Sequence, residues 1–223
     1  MMVVPRNVPE VILETIMNFG THIAHVFFTV CIVLALTAAS PVFAMEVGGV
    51  KFDETAKVAN HDLQLNGAGV RYKAVFKVYA AGLYLSGKKT KPADVLAAPG
   101  PKRFSIVTLR NISAEEFGRS FMAGIQKNSE KAEKAKLTNQ FLKFGELFAS
   151  IPELKNGDVL TVDWIPDSGM LLMINGKKIS DIIPDIGFYN VFLKIWFGEY
   201  PPDAKLKQAL LGQAEEIVRP AGF

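Results

Sequence analysis

The order of apolar and polar positions divides the chain into segments of different period. Residues 23–39 form an almost unbroken apolar run without a charge, too uniform to have a wet face. Beyond it the pattern turns to short β-type segments. Strand candidates occupy residues 47–52 and 56–58, and Leu63, Leu65, Gly67, Gly69 and Arg71 share one parity of a longer one. Residues 70–85 are rich in valine, tyrosine and phenylalanine and contain no proline, which predicts at least two antiparallel strands joined near residues 72–74. Residues 92–101 read as a connector with room for a short helix. In residues 103–109, Phe104, Ile106 and Thr108 alternate with Ser105, Val107 and Leu109, as in a strand with two distinct faces.

The period then lengthens. Ser113-Ala114-Glu115-Glu116 is a capping box, in which the serine oxygen accepts from a helix N–H while Glu116 reaches back to the cap. Ile112 and Phe117 fall at the positions of a hydrophobic staple. Phe117, Phe121 and Ile125 recur every fourth residue as a buried stripe. Residues 127–136 are charged and read as a solvated helix end and link. Leu137, Phe141, Phe144 and Phe148 make a second helical stripe that must stop before Pro152. Asn156-Gly157, Asp167-Ser168-Gly169 and Asn175-Gly176 then punctuate three strands, at residues 159–165, 170–174 and 177–180, predicting an antiparallel meander. Pro184 opens a helix that runs past Trp196, and Pro201-Pro202 separates it from a last helix over residues 204–211. The order of strands, two helices, strands, then helices has no βαβ alternation. It predicts an α+β fold with an antiparallel sheet covered by helices on one face.

Composition alters this picture mainly at the N-terminus. The apolar run followed by Val42-Phe43-Ala44 reads as an export signal cleaved after Ala44, leaving one domain over residues 45–223 in a periplasmic or secreted location. The alternative is an uncleaved membrane anchor, since the run approaches the roughly 20 residues that span a bilayer. Of 25 basic and 22 acidic residues, Arg6, Glu10 and Glu14 leave with the signal, so the net charge moves from +3 to +4. No basic stripe accompanies it, and no nucleic-acid partner is expected.

Cleavage also removes Cys31, the only cysteine, together with His22 and His25. The remaining histidine, His61, has no nucleophile elbow to serve. No metal-ligand cluster, P-loop or dinucleotide fingerprint is present, so neither a metal nor a cofactor is expected. Gly67-Ala68-Gly69 lies between strand candidates and reads as a bulge or a close backbone approach. Asp181 and Asp185 read as helix-capping residues. What stands out is Arg71 in an apolar and aromatic β region, followed by Tyr79 and Tyr84. Taken alone it is an exposed strand residue or half of an ion pair; facing inward, it would need an anion, and a carboxylate matches its fork.

Gly69-Val70-Arg71 and Lys77-Val78-Tyr79-Ala80-Ala81-Gly82-Leu83-Tyr84-Leu85 resemble the first hairpin of the chalcone isomerase superfamily. The likeness continues through Ile112-Ser113-Ala114-Glu115-Glu116-Phe117, the paired helices, the Val162-Asp163-Trp164 meander and Phe197-Gly198-Glu199. It implies an open-faced β-sandwich whose long antiparallel sheet and covering helices enclose a ligand cleft. The plant isomerases of the superfamily close a chalcone into a flavanone, and their arginine, which stabilises the developing oxyanion, falls on Arg71. The threonine on the neighbouring strand falls on Tyr79. The tyrosine that begins the first long helix is Phe117, the asparagine seven residues later is Gly124, and the polar residue late in the C-terminal helix is Ile195. Three of five polar positions are thus apolar or bare.

That pattern is closer to the fatty-acid-binding branch, in which arginine and tyrosine clamp a carboxylate at the mouth of an apolar tunnel. The resemblance implies a non-catalytic binding protein for a fatty acid or similar apolar carboxylate. Arg71 and Tyr79 would be the anchor, and Phe117, Phe121, Phe192 and Trp196 the apolar wall. The alternative is an isomerase of the chalcone-flavanone type, an intramolecular lyase acting on an enone through Arg71 and Tyr79. A third reading, an interaction module, is favoured if Arg71 is held by a protein carboxylate. No protein partner is identifiable, and export would bring the domain close to membrane lipid.

Overall fold

The structure is a computed structural model that describes residues 44–213 apart from Pro152. The expected export signal lies, except for Ala44, outside the described residues. Strands β1 (Ala44–Val47) and β2 (Val50–Asp53) form a small hairpin, β3 (Thr55–Val58) follows, and β4 (His61–Lys73) and β5 (Phe76–Leu85) make the long central hairpin. After helix α1 (Pro92–Ala97) comes β6 (Lys102–Thr108). Short β7 (Ile112–Ser113) leads into α2 (Ala114–Asn128), α3 (Lys131–Lys136) and α4 (Thr138–Ala149), and β8 (Glu153–Leu154) pairs back onto β7. The meander β9 (Val159–Ile165), β10 (Gly169–Ile174) and β11 (Lys177–Lys178) is followed by α5 (Ile186–Phe197) and α6 (Ala204–Leu210).

Seven strands make one antiparallel sheet in the order β11-β10-β9-β6-β5-β4-β3. The excursion through α2, α3 and α4 leaves from β6 and returns to β9, its direct neighbour, and the β7–β8 ladder closes its neck. One face of the sheet meets the helices across the main core, which includes Leu83, Phe104, Ile106, Phe121, Phe144 and Phe192. The other face carries a smaller cluster in which Phe52 of the β1–β2 hairpin covers Leu65, Ala80 and Tyr84. Gly82 makes room for that ring, since a Cβ there would lie 2.7 Å from Phe52 Cδ1. The α+β class and the open-faced sandwich are as the sequence implies.

Several local readings change. Residues 47–52 are a hairpin rather than one strand, because Gly48 and Gly49 adopt φ of 65° and 90° and turn the chain. The shared parity of residues 63–71 breaks at Asn66, where the β4–β5 register shifts. Leu63 and Leu65 therefore belong to the smaller cluster, whereas Gly67 and Gly69 lie under α6. Both readings of the Gly67-Ala68-Gly69 segment hold: the chain bulges just before it, and a Cβ on Gly69 would stand 2.6 Å from Ala209 Cβ. Residues 127–136 contain a separate exposed helix, α3, tied to α5 by the Glu133–Lys194 ion pair at 2.8 Å. Pro184 precedes α5 instead of opening it, and the Asp185 carboxylate caps the helix by accepting from Gly187 N. Half of the capping box forms: Ser113 Oγ accepts from Glu116 N, while the Glu116 carboxylate accepts from Arg110.

Candidate functional site

A second register shift, between Arg71 and Tyr72, arises because β5 carries an extra residue opposite this point. Such a bulge puts neighbouring side chains on one side of a strand, and both Val78 and Tyr79 join the helix-side core. Arg71 is the direct cross-strand partner of Tyr79. Its guanidinium carbon lies 5.6 Å from the centre of the Tyr79 ring, a cation–π contact.

Arg71 Nε is buried and has no hydrogen-bond partner among the described residues. Among the described residues Arg71 forms no ion pair, so the condition that would favour an interaction module is not met there. The carboxylate that Tyr79 senses, Asp203, is already engaged. It accepts from Lys205 N and Leu206 N as the cap of α6, and from Tyr72 N of β4. Leaving a guanidinium N–H without an acceptor costs free energy unless something accepts from it.

The Tyr79 hydroxyl accepts from Trp196 Nε1 at 2.8 Å. Burial pushes its pKa up to about 12, against the opposing influence of Arg71 and Trp196. The phenol is therefore protonated near neutral pH, and having accepted one bond it keeps its own proton to donate. Arg71 and Tyr79 thus offer two donors and a positive charge at one place, which suits an oxyanion.

These groups face a cavity of about 40 Å³, room for roughly two or three waters. Its polar rim adds Arg110, Glu116 and Ser120, and its apolar wall includes Phe117, Phe121, Ile195 and Trp196. Phe192 stands behind this wall. Its ring centre is 5.2 Å from that of Phe121 and 5.1 Å from that of Trp196, and Phe117 and Phe121 are stacked at 6.4 Å. The rings touch one another, so the cavity has room for a small polar group only, and anything larger needs the rings to part. Gly124 and Ile195, two of the positions that lack a polar group, pack together: a Cβ on Gly124 would lie 2.8 Å from Ile195 Cγ2.

The sequence does not single out Arg110 and Ser120, and it assigns Glu116 to the capping box rather than to the rim. Glu116 and Ser120 stand one helical turn apart beside the Phe117/Phe121 stripe, which is the signal that could have placed them at the rim. Arg110 holds Glu116 at 2.7 Å and keeps its carboxyl below the usual carboxylate range. Glu116 is thus an ionised, occupied group and a poor proton acceptor. His61 begins β4, at the end of the strand away from Arg71. Among the described residues no three His, Cys, Asp or Glu gather as a metal site.

An antiparallel sheet roofed by helices, with a cationic and phenolic pair at the edge of an aromatic cluster, defines an α+β protein of the open-faced sandwich class with a small polar-rimmed cavity. The chain belongs to the chalcone isomerase-like family, whose model matches residues 44–212. Among solved structures it is similar to a fatty-acid binding protein of Arabidopsis thaliana, with a TM-score of 0.61 at 16% identity, covering 77% of this chain and 97% of that one. No curated protein matches it in sequence.

Proposed function

We propose that this protein binds a fatty acid or similar apolar carboxylate without transforming it. The observation that carries the reading is the buried Arg71 Nε, which has no acceptor among the described residues and stands beside the proton-bearing hydroxyl of Tyr79. The carboxylate bridges these two donors, and the tail runs between α2 and α5 as Phe117, Phe121, Phe192 and Trp196 move apart. The family membership and the fatty-acid-binding fold neighbour support the same reading. Native mass spectrometry after mild purification is expected to find co-purifying acyl chains, which Arg71→Ala loses. Ligand-free protein that takes up no added fatty acid overturns the proposal.

The second reading, a chalcone-flavanone type isomerase, draws on the same donor pair, which would serve a developing enolate oxygen equally well. An absorbance assay with chalcone is expected to show no rate above background; a rate that depends on Arg71 would reverse the order of the two readings.

Export of the domain to the periplasm or outside the cell is part of the proposal. Ala44, the expected end of the signal, is also where the family match and β1 begin. The intact mass of the protein recovered from its native compartment is expected to correspond to a chain starting at Met45, and a mass retaining residues 23–39 would indicate the anchor instead.

A further inference from the structure

The turn of the central hairpin breaks two rules at once. A two-residue hairpin loop favours Asn-Gly or another pair that tolerates positive φ, yet here it is Ala74-Val75, with Ala74 at φ 53°. Large apolar side chains usually find cover, yet Val75 is 81%, Phe76 69% and Tyr72 45% exposed, three of the most exposed large apolar residues described. Exposed Lys73 and Lys77 flank them. Of the carboxylates next to this end of the hairpin, Glu116 is held by Arg110 and Asp203 by three backbone N–H groups. Arg71, Lys73, Lys77 and Arg110 outnumber Glu116 and Asp203 here, so the end presents an apolar tip in a surround of net positive charge.

We infer that the Tyr72–Lys77 hairpin tip docks the protein on an anionic lipid bilayer, with Val75 and Phe76 entering the interface and Lys73 and Lys77 meeting lipid phosphates. The combination of a narrow apolar wedge and basic flanks is what interfacial binding uses. A second copy of the chain fits the tip less well. It offers far less than the roughly 800 Å² per partner of a stable protein interface, and its like charges would face each other. Arg71 and the cavity lie immediately behind the tip on the same two strands. The inference does not require that the cavity hold a fatty acid.

The test places a reporter on the tip itself. The chain has two tryptophans, buried Trp196 and partly buried Trp164, so Phe76→Trp adds an exposed third. The protein as isolated is mixed with vesicles of phosphatidylglycerol and brominated phosphatidylcholine. The expected result is quenching of the added emission, weaker on pure brominated phosphatidylcholine and weakened by salt. Val75→Ser with Phe76→Ser, and Lys73→Glu with Lys77→Glu, should each lower vesicle affinity roughly tenfold or more, with far-UV circular dichroism unchanged because all four positions are exposed. Sedimentation with vesicles while the tip emission stays unquenched overturns the inference, since another segment would then hold the membrane. Absence of vesicle binding overturns it, as does a concentration-dependent dimer that the Val75→Ser, Phe76→Ser variant disperses. Quenching is scored whether or not acyl chains co-purify, so this inference and the proposed ligand fail separately.

Discussion

In the proposed site, Arg71 and Tyr79 would divide the work of holding a carboxylate. The guanidinium supplies charge and one orphaned N–H, and the phenol supplies a second donor whose direction Trp196 fixes by donating to it. Removing only the phenolic donor separates these roles. Tyr79→Phe keeps the ring beneath the guanidinium and is expected to weaken fatty-acid binding by about tenfold, the worth of one charge-assisted hydrogen bond; titration calorimetry with a short-chain fatty acid reads the loss. Arg71→Lys is not conservative here. It retains a charge but lacks the planar fork that lets one residue stack on Tyr79 and donate sideways to a carboxylate.

Among the elements, α6 depends most on the strand below it. Gly67 and Gly69 bring β4 against the helix, Asp203 caps it while gripping Tyr72 N, and the Asn66 side chain donates to Leu210 O at its far end. Gly69→Leu is expected to destabilise the protein by about 2–4 kcal/mol, since the side chain would need the space of Ala209 and Leu206; urea denaturation measures it. Much of this level was legible in the sequence. The alternation in β6 and the Phe117, Phe121, Ile125 stripe each predicted the face they occupy, because one period ran unbroken along one element. The bulge at Asn66 was hinted at only by the glycines that follow it, and the one at Val78 was not legible. Asn66 and Val78 look like ordinary strand residues, and the side to which an extra residue throws its neighbours depends on the partner strand. Glu116 was misplaced for a related reason: a capping box is read from local spacing, but Arg110 competes for the carboxylate.

At the scale of the whole molecule, a few buried titratable groups shape the dependence of stability on pH. Lys102 is almost fully buried, donates to Leu96 O at the end of α1, and has its pKa lowered by burial to about 8. Between that value and about 10.5 the unfolded chain binds the proton that the folded protein has released, so this group makes stability rise with pH. Tyr79 and Tyr84, pushed up to about 12 by burial, act in the opposite sense: above about 10 the unfolded chain loses protons that the folded protein keeps, and stability falls. Urea midpoints taken from pH 7 to 11 are expected to gain from Lys102 up to about pH 10 and then to turn downward, and Lys102→Met should remove the rising limb alone. The architecture was legible at this scale because the order of elements admits few folds. The cavity was not, since its size depends on how closely five aromatic rings approach one another.

Docked as inferred, the central hairpin would also act as a measure of depth. At about 3.3 Å per residue, the few residues between Arg71 and the turn hold its backbone roughly 10 Å behind the tip. The headgroup layer on each side of a bilayer is of comparable thickness, roughly 5–8 Å. With Val75 and Phe76 at the hydrocarbon boundary, the arginine's backbone would stand just outside the headgroups, with its side chain in reach of a carboxyl end leaving the membrane.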